Sequence, residues 1–283
     1  MKNMTGIVVA ALGVALAVLS PGIQGQQQST PPPPQQPQQQ GAPTLQGQQQ
    51  PATPAEAPKV DPEEEKAYKE FFDLKPDDYD KQIELGEAFV KQYPQSRYDE
   101  TVYGRLTNAY YNKQQPEKMY AAADKALALN PDDVAVLVLA GWVIPHSYDP
   151  NDPESQRRLE KAESYEKHAL EIIPKLPKPP ALTDEQFASA KARYESMAHS
   201  GLGLVYFRQQ KAEDSVKELE QATAGEQTDP VDFLVMGIDL NNLKRYNDAA
   251  DAFQKCAQIP GPLQDRCKQQ ADKAKVQAAP PQK

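Results

Sequence analysis

Histidine, cysteine and tryptophan are scarce. The chain of 283 residues has three histidines, two cysteines and one tryptophan. His146, His168 and His199 stand far apart, and none has a cysteine or carboxylate at metal-ligand spacing, so no metal or other cofactor is expected. Ser200 has no Gly-x-Ser-x-Gly elbow around it. With neither kind of site, catalysis is not expected. Strand signals are missing too: there are no alternating β-branched runs and no Asn-Gly turns, which excludes a sheet protein. Basic residues are not clustered, and the net charge is -9. Such a field repels nucleic acid and anionic lipid. No run reaches the roughly 20 apolar residues of a spanning helix.

What stands at the start is "MKNMTGIVVAALGVALAVLSPGIQG". A lysine, an apolar stretch over 7–19 and Ser20-Pro21-Gly22 follow the three-part pattern of a secretory signal. Residues 1–25 are read as a signal peptide cleaved after Gly25; the alternative is an uncleaved N-terminal anchor. No cysteine follows the run, so an N-terminal lipoprotein is not expected. Residues 26–60 are nearly all Gln, Pro, Ala, Thr and Gly. They cannot bury enough surface to offset their ordering entropy and are expected to be a disordered, polyproline-like linker. Fully extended it would reach on the order of 100 Å. The expected location is the periplasm or cell envelope, with membrane contact only if the N-terminal segment stays uncleaved.

From 61 onward the chain reads as helix. Asp61-Pro62, Asp152-Pro153 and Asp229-Pro230 mark starts: Asp caps free N–H groups, and Pro fits the first turn, where its missing N–H costs nothing. Thr183-Asp184-Glu185-Gln186 has the form of a capping box. About eleven helices are expected, near 62–74, 78–93, 97–113, 116–129, 132–145, 154–173, 183–210, 212–224, 230–243, 246–258 and 263–277.

"SGLGLVYF" at 200–207 suggests a phosphate loop at first sight. A preceding strand, and a third glycine or a Gly-Lys-Ser/Thr, would be needed, and neither is present. Instead Leu202-Gly203, Tyr206, Ser215, Leu219 and Ala222 recur 34 residues later as Met236-Gly237, Leu240, Ala249, Phe253 and Cys256. This period, with two helices in each, resembles the tetratricopeptide repeat family. The resemblance implies an all-α solenoid of antiparallel helix pairs. It makes Gly203 a packing residue of helix A and Ala222 one of helix B. Alanine at Gly203 is then expected to be tolerated and leucine to destabilise. Weaker copies lie upstream, at Tyr103, Leu106, Tyr110 and Ala126, and at Ala162, Ala169 and Leu170. Their spacing implies two insertions, around "PHSYDPNDP" and around "KLPKPPALT". "FVKQYPQSRYDETVYGRLTNAYY" also resembles repeats of bacterial outer-membrane assembly lipoproteins, whose lipid-bearing cysteine is missing here. The repeats span 61–262, a capping helix 263–277, and a disordered tail 278–283.

Cys256 and Cys267 flank an Ile-Pro-Gly-Pro turn. In an exported protein an even pair is expected to bridge; the alternative is two reduced packing residues. "DPNDPESQRRLE" fails as a calcium loop, because Glu154 holds the glycine position and Pro153 an adjacent ligand position. What remains is binding. The resemblance implies a concave groove lined by the A helices, presenting Asn108, Tyr111, Asn112, Phe207, Arg208, Asn241 and Asn242. Asn can bond a peptide backbone, and Tyr offers area at low entropy cost. Only Arg208 is basic, so capture of a peptide C-terminus is not expected. The chain is read as a scaffold for protein partners; the competing reading is a structural subunit of an outer-membrane assembly or secretion complex.

Overall fold

The computed structural model describes residues 61–225 and 228–279. The signal segment 1–25, the linker 26–60 and the tail residues 280–283 lie outside the described residues. Eleven α-helices follow one another: α1 (Pro62–Phe72), α2 (Tyr79–Gln92), α3 (Asp99–Asn112), α4 (Pro116–Leu129), α5 (Val134–His146), α6 (Ser155–Ile172), α7 (Asp184–Arg208), α8 (Ala212–Ala222), α9 (Pro230–Asn242), α10 (Tyr246–Gln258) and α11 (Gln264–Ala278). A 3-10 turn, Ile173–Lys175, extends α6. No strand occurs among the described residues.

The caps act where the sequence places them. Asp61 and Asp229 accept the N–H of Glu63 and Val231, with Pro62 and Pro230 next in line. Thr183 and Gln186 form both halves of the capping box of α7. Asp152 is different. Its carboxylate accepts the Glu154 N–H at 2.9 Å inside a preceding turn, and α6 starts only at Ser155 without a side-chain cap.

The helices pack in order as pairs, α3 on α4, α5 on α6, α7 on α8 and α9 on α10, with α11 laid on α10. Short turns between them make neighbours antiparallel. A second periodic mark appears in these turns. Gln114, Gln210 and Lys244 have φ of 56°, 60° and 60°, each just past an A helix. This left-handed step lets the chain reverse and bond back, as Lys211 N–H does to Tyr206 O at 2.9 Å. After α5 the first insertion takes over this role. The second insertion lengthens α7 to 25 residues, against 13 in α9. None of residues 184–197 is fully buried, although Tyr194 and Met197 pack against the core of α4 to α6 and Ser196 donates to Ala222 O.

Packing follows the repeat. Buried alanines on the B helices, Ala126, Ala169 and Ala222, let the next helix approach. Opposite Gly203 sits Leu219, and opposite Gly237 sits Phe253. A Cβ on Gly203 would lie 2.6 Å from Leu219 Cγ, and one on Gly237 would lie 2.5 Å from Phe253. Alanine at Gly203 therefore has no room, contrary to the expectation from sequence. The reason is that this repeat fills the small A-helix position with a fully buried leucine from the B helix.

At the C-terminal end, Cys256 and Cys267 are both fully buried and their sulfurs lie at disulfide distance, with Cα atoms 5.8 Å apart. The bond joins α10 to α11, whose other buried residues are only Ala271 and Ala274.

Candidate partner-binding groove

The backbones of the A helices α3, α5, α7 and α9 approach one another in succession, whereas the B helices α4 and α6 meet through long side chains, as in Arg158–Glu117 and Lys161–Asp124. This closer row is the one that the repeat resemblance places on the concave side.

Each residue expected in this groove sits near the C-terminal end of its A helix. On α3, Asn112 donates its amide to Asn108 O at 2.8 Å and to Asn108 Oδ1 at 3.2 Å, so these two amides are partly used on each other. Tyr111 stands edge-on to Trp142 of α5, with ring centroids 6.3 Å apart. On α7, Phe207 packs against the core shared by α7 to α11. Arg208 donates through Nε to Pro145 O at 3.2 Å and lies over the Tyr148 ring at 5.4 Å. Pro145 O belongs to the last turn of α5, where a cation complements the free carbonyls. Burial lowers the guanidinium's proton affinity without discharging it. On α9, Asn241 is half-buried and Asn242 exposed, and neither side chain makes a hydrogen bond among the described residues.

The structure joins two of these sites through residues that sequence reasoning passed over. The Trp142 ring lies tilted against that of His146, with centroids 4.0 Å apart. His146 Nδ1–H donates to Trp142 O at 2.7 Å, since a carbonyl can only accept. That leaves His146 Nε2 buried without a partner, 3.7 Å from Asp229 Oδ2 at the start of α9. Tyr111, Trp142, His146 and Asp229 thus form one row from α3 across α5 to α9. Its one sequence signal was the lone tryptophan, hidden within the apolar run of α5.

Beneath the row, Ser200 of α7 donates to Asp232 Oδ1 of α9 at 2.7 Å. Burial pushes Asp232 up to about 7, with Asp229 adding and Ser200 and His146 opposing. Burial likewise pushes Asp239 up to about 6. The other histidines are elsewhere: His168 meets Asp132 at the surface at 2.6 Å, and His199 Nδ1 is 2.7 Å from Glu218 Oε2. His199 is therefore paired with a carboxylate, not packed as an apolar ring. No group of three or more metal-ligating side chains occurs among the described residues.

No family model and no curated protein matches the sequence. Among solved structures, PilW, a widely conserved type IV pilus biogenesis factor, is similar with a TM-score of 0.51 at 15% identity, over 77% of this chain and 89% of that one. The fold is a tetratricopeptide-type α-solenoid. A thermophilic tetratricopeptide protein of Thermus thermophilus aligns at 17% identity over 75% of this chain and 99% of that one, with a TM-score of 0.44. At such identities the likeness concerns the fold, and the groove of this tetratricopeptide-type solenoid has to be read from its own residues.

Proposed function

We propose that the chain is an exported, non-catalytic scaffold that holds a protein partner in the concave groove of its A helices. The row Tyr111–Trp142–His146–Asp229 carries this reading. It sets two rings edge to face beside the partly exposed carboxylate of Asp229. Aromatic area flanked by polar atoms suits an extended peptide, and Asn241 and Asn242 offer further amides at the other end of α9.

A pull-down with the full chain tests it. Trp142→Ala is expected to lose most of the recovered partner, because buried aromatic anchors carry about 2 kcal/mol or more of binding. Asn241→Ala with Asn242→Ala should weaken recovery while shifting stability by no more than about 0.5 kcal/mol. Full recovery of the partner by both variants would remove the groove from consideration.

A second reading, a structural subunit or accessory factor of an outer-membrane assembly or secretion complex, takes its support from the fold shared with the pilus biogenesis factor. It predicts that the partner stays bound through purification as a fixed complex. Export itself has a direct check: mass spectrometry of the protein from its own cells should find an N-terminus near Gln26. An intact Met1 in a soluble cytoplasmic fraction would rule export out. Among the described residues no helix is long and apolar enough to cross a membrane.

A further inference from the structure

Glu166 of α6 is fully buried, and neither carboxyl oxygen has a hydrogen-bond partner. The repeat makes its position informative. It stands three residues before Ala169, as Leu219 stands before Ala222 and Phe253 before Cys256. A carboxyl therefore occupies the place of the large apolar residue that fills the later pairs. Two glycines make its room. A Cβ on Gly141 of α5 would lie 2.5 Å from Glu166 Cδ, and a Cβ on Gly201 of α7 would lie 2.9 Å from it. The carboxyl is clamped between its own pair, α5–α6, and the first helix of the next.

The ionisable groups around it are engaged elsewhere. On α5 the only one is His146, bonded to Trp142 O. On α6, Glu163 takes Lys167 and Gln209, and Tyr165 bonds Asp124. On α7, His199 meets Glu218, Tyr206 lies under Lys167 and Lys211, and Arg208 bonds Pro145 O. Burial alone holds the Glu166 carboxyl well above the usual carboxylate range. A neutral acid without partners is tolerable there; a carboxylate without partners is not.

We propose that Glu166 makes the joint between α5–α6 and α7 a proton-operated hinge, closed while the carboxyl is neutral and opened when it ionises and draws water in beside Gly201. Opening releases one proton to solvent. Each half keeps a core of its own when the joint parts, while the contacts that cross it, Ala169 and Ile173 with Ala198, and Ile144, Leu159 and Ala162 with Val205, are given up. Phe71, Phe89, Leu106 and Met119 hold the N-terminal side, while α8 to α11 share a cluster and the Cys256–Cys267 link. In a linear array each pair contacts only its neighbours, so one joint can open alone.

The sign follows from linkage. A solvated Glu ionises near pH ~4.3, while the closed joint keeps its proton to higher pH. Between those two values the closed form holds more protons, so rising pH favours opening by up to about tenfold per unit, and the gain levels off above the closed-state value. The hinge does not depend on the groove's role: partner recovery tests one, and the pH dependence of the joint tests the other.

Hydrogen exchange by mass spectrometry on the full chain decides it, with wild type, Glu166→Gln and Glu166→Leu compared at each pH so that intrinsic rates cancel. Near pH 8.5, amides 162–169 and 198–205 of wild type should exchange at least about tenfold faster than in Glu166→Gln, and the gap should narrow as pH falls and close near pH ~4, where the solvated carboxyl also takes up its proton. Glu166→Leu restores the residue type of the next repeat and should match Glu166→Gln; it serves as the reference should the glutamine variant not fold. Equal protection of wild type and the reference variants near pH 8.5 would overturn the hinge. So would a loss spread evenly over all helices, since that is global destabilisation.

Discussion

Gly203→Ala is expected to lower the melting temperature, despite being the mildest change a helix can receive. Alanine favours helix over glycine by up to about 1 kcal/mol. Against that, its methyl group would lie 2.6 Å from Leu219 Cγ and 3.3 Å from Leu219 N. Leu219 is fully buried, so its side chain has no free space to swing into, and the backbone behind it belongs to α8. Overpacking of this kind typically costs about 1–3 kcal/mol, which outweighs the propensity gain. For a domain of this size each kcal/mol is worth about 2–4 °C. Gly225→Ala is the control, because a Cβ there meets nothing within 4 Å. The double variant Gly203→Ala with Leu219→Ala should cost less than the sum of the singles, since the new methyl group occupies part of the cavity. A melt of Gly203→Ala equal to wild type would show that α7 and α8 can move apart at no cost.

Replacing Cys256 and Cys267 together by alanine is expected to cost about 3 kcal/mol, the chain-entropy value for a loop of this length. The effect should fall at one end. α11 buries only Cys267, Ala271 and Ala274, and Val276 is 76% exposed. A helix with so little apolar contact depends on its covalent link to α10. Without it, α11 should fray and uncover α10, and end repeats without a cover lose stability first. Thermal melts with and without reductant, together with exchange in 264–278, measure this. Unchanged melting and unchanged protection of α11 on reduction would show that the two sulfurs only pack.

How much of this was legible varies by element. Every helix was readable, because caps and apolar spacing act within a few residues: Asp61, Thr183 and Asp229 cap where they stand in the sequence. Asp152 was misplaced as a cap, since nothing local distinguishes a helix cap from a turn that precedes one. The groove was half legible. Repeat register put Asn108, Tyr111, Arg208 and Asn241 on A helices. It could not show that Asn112 bonds Asn108, or that Arg208 is held by Pro145 O.

By itself the sequence determined the helices and their pairing by the 34-residue period, and it narrowed two nearby cysteines to a bridge or a packed pair. Each of these depends on residues close in the chain or on a repeat that can be counted. Only the tertiary structure decided what stands opposite each small residue: Leu219 against Gly203, Phe253 against Gly237, and Glu166 between Gly141 and Gly201. It alone brought Tyr111, Trp142, His146 and Asp229 into one row. These are contacts between side chains on different helices. Their closeness is set by how nearly the helix axes approach, which depends on every side chain at the interface at once and is written in no single stretch of residues.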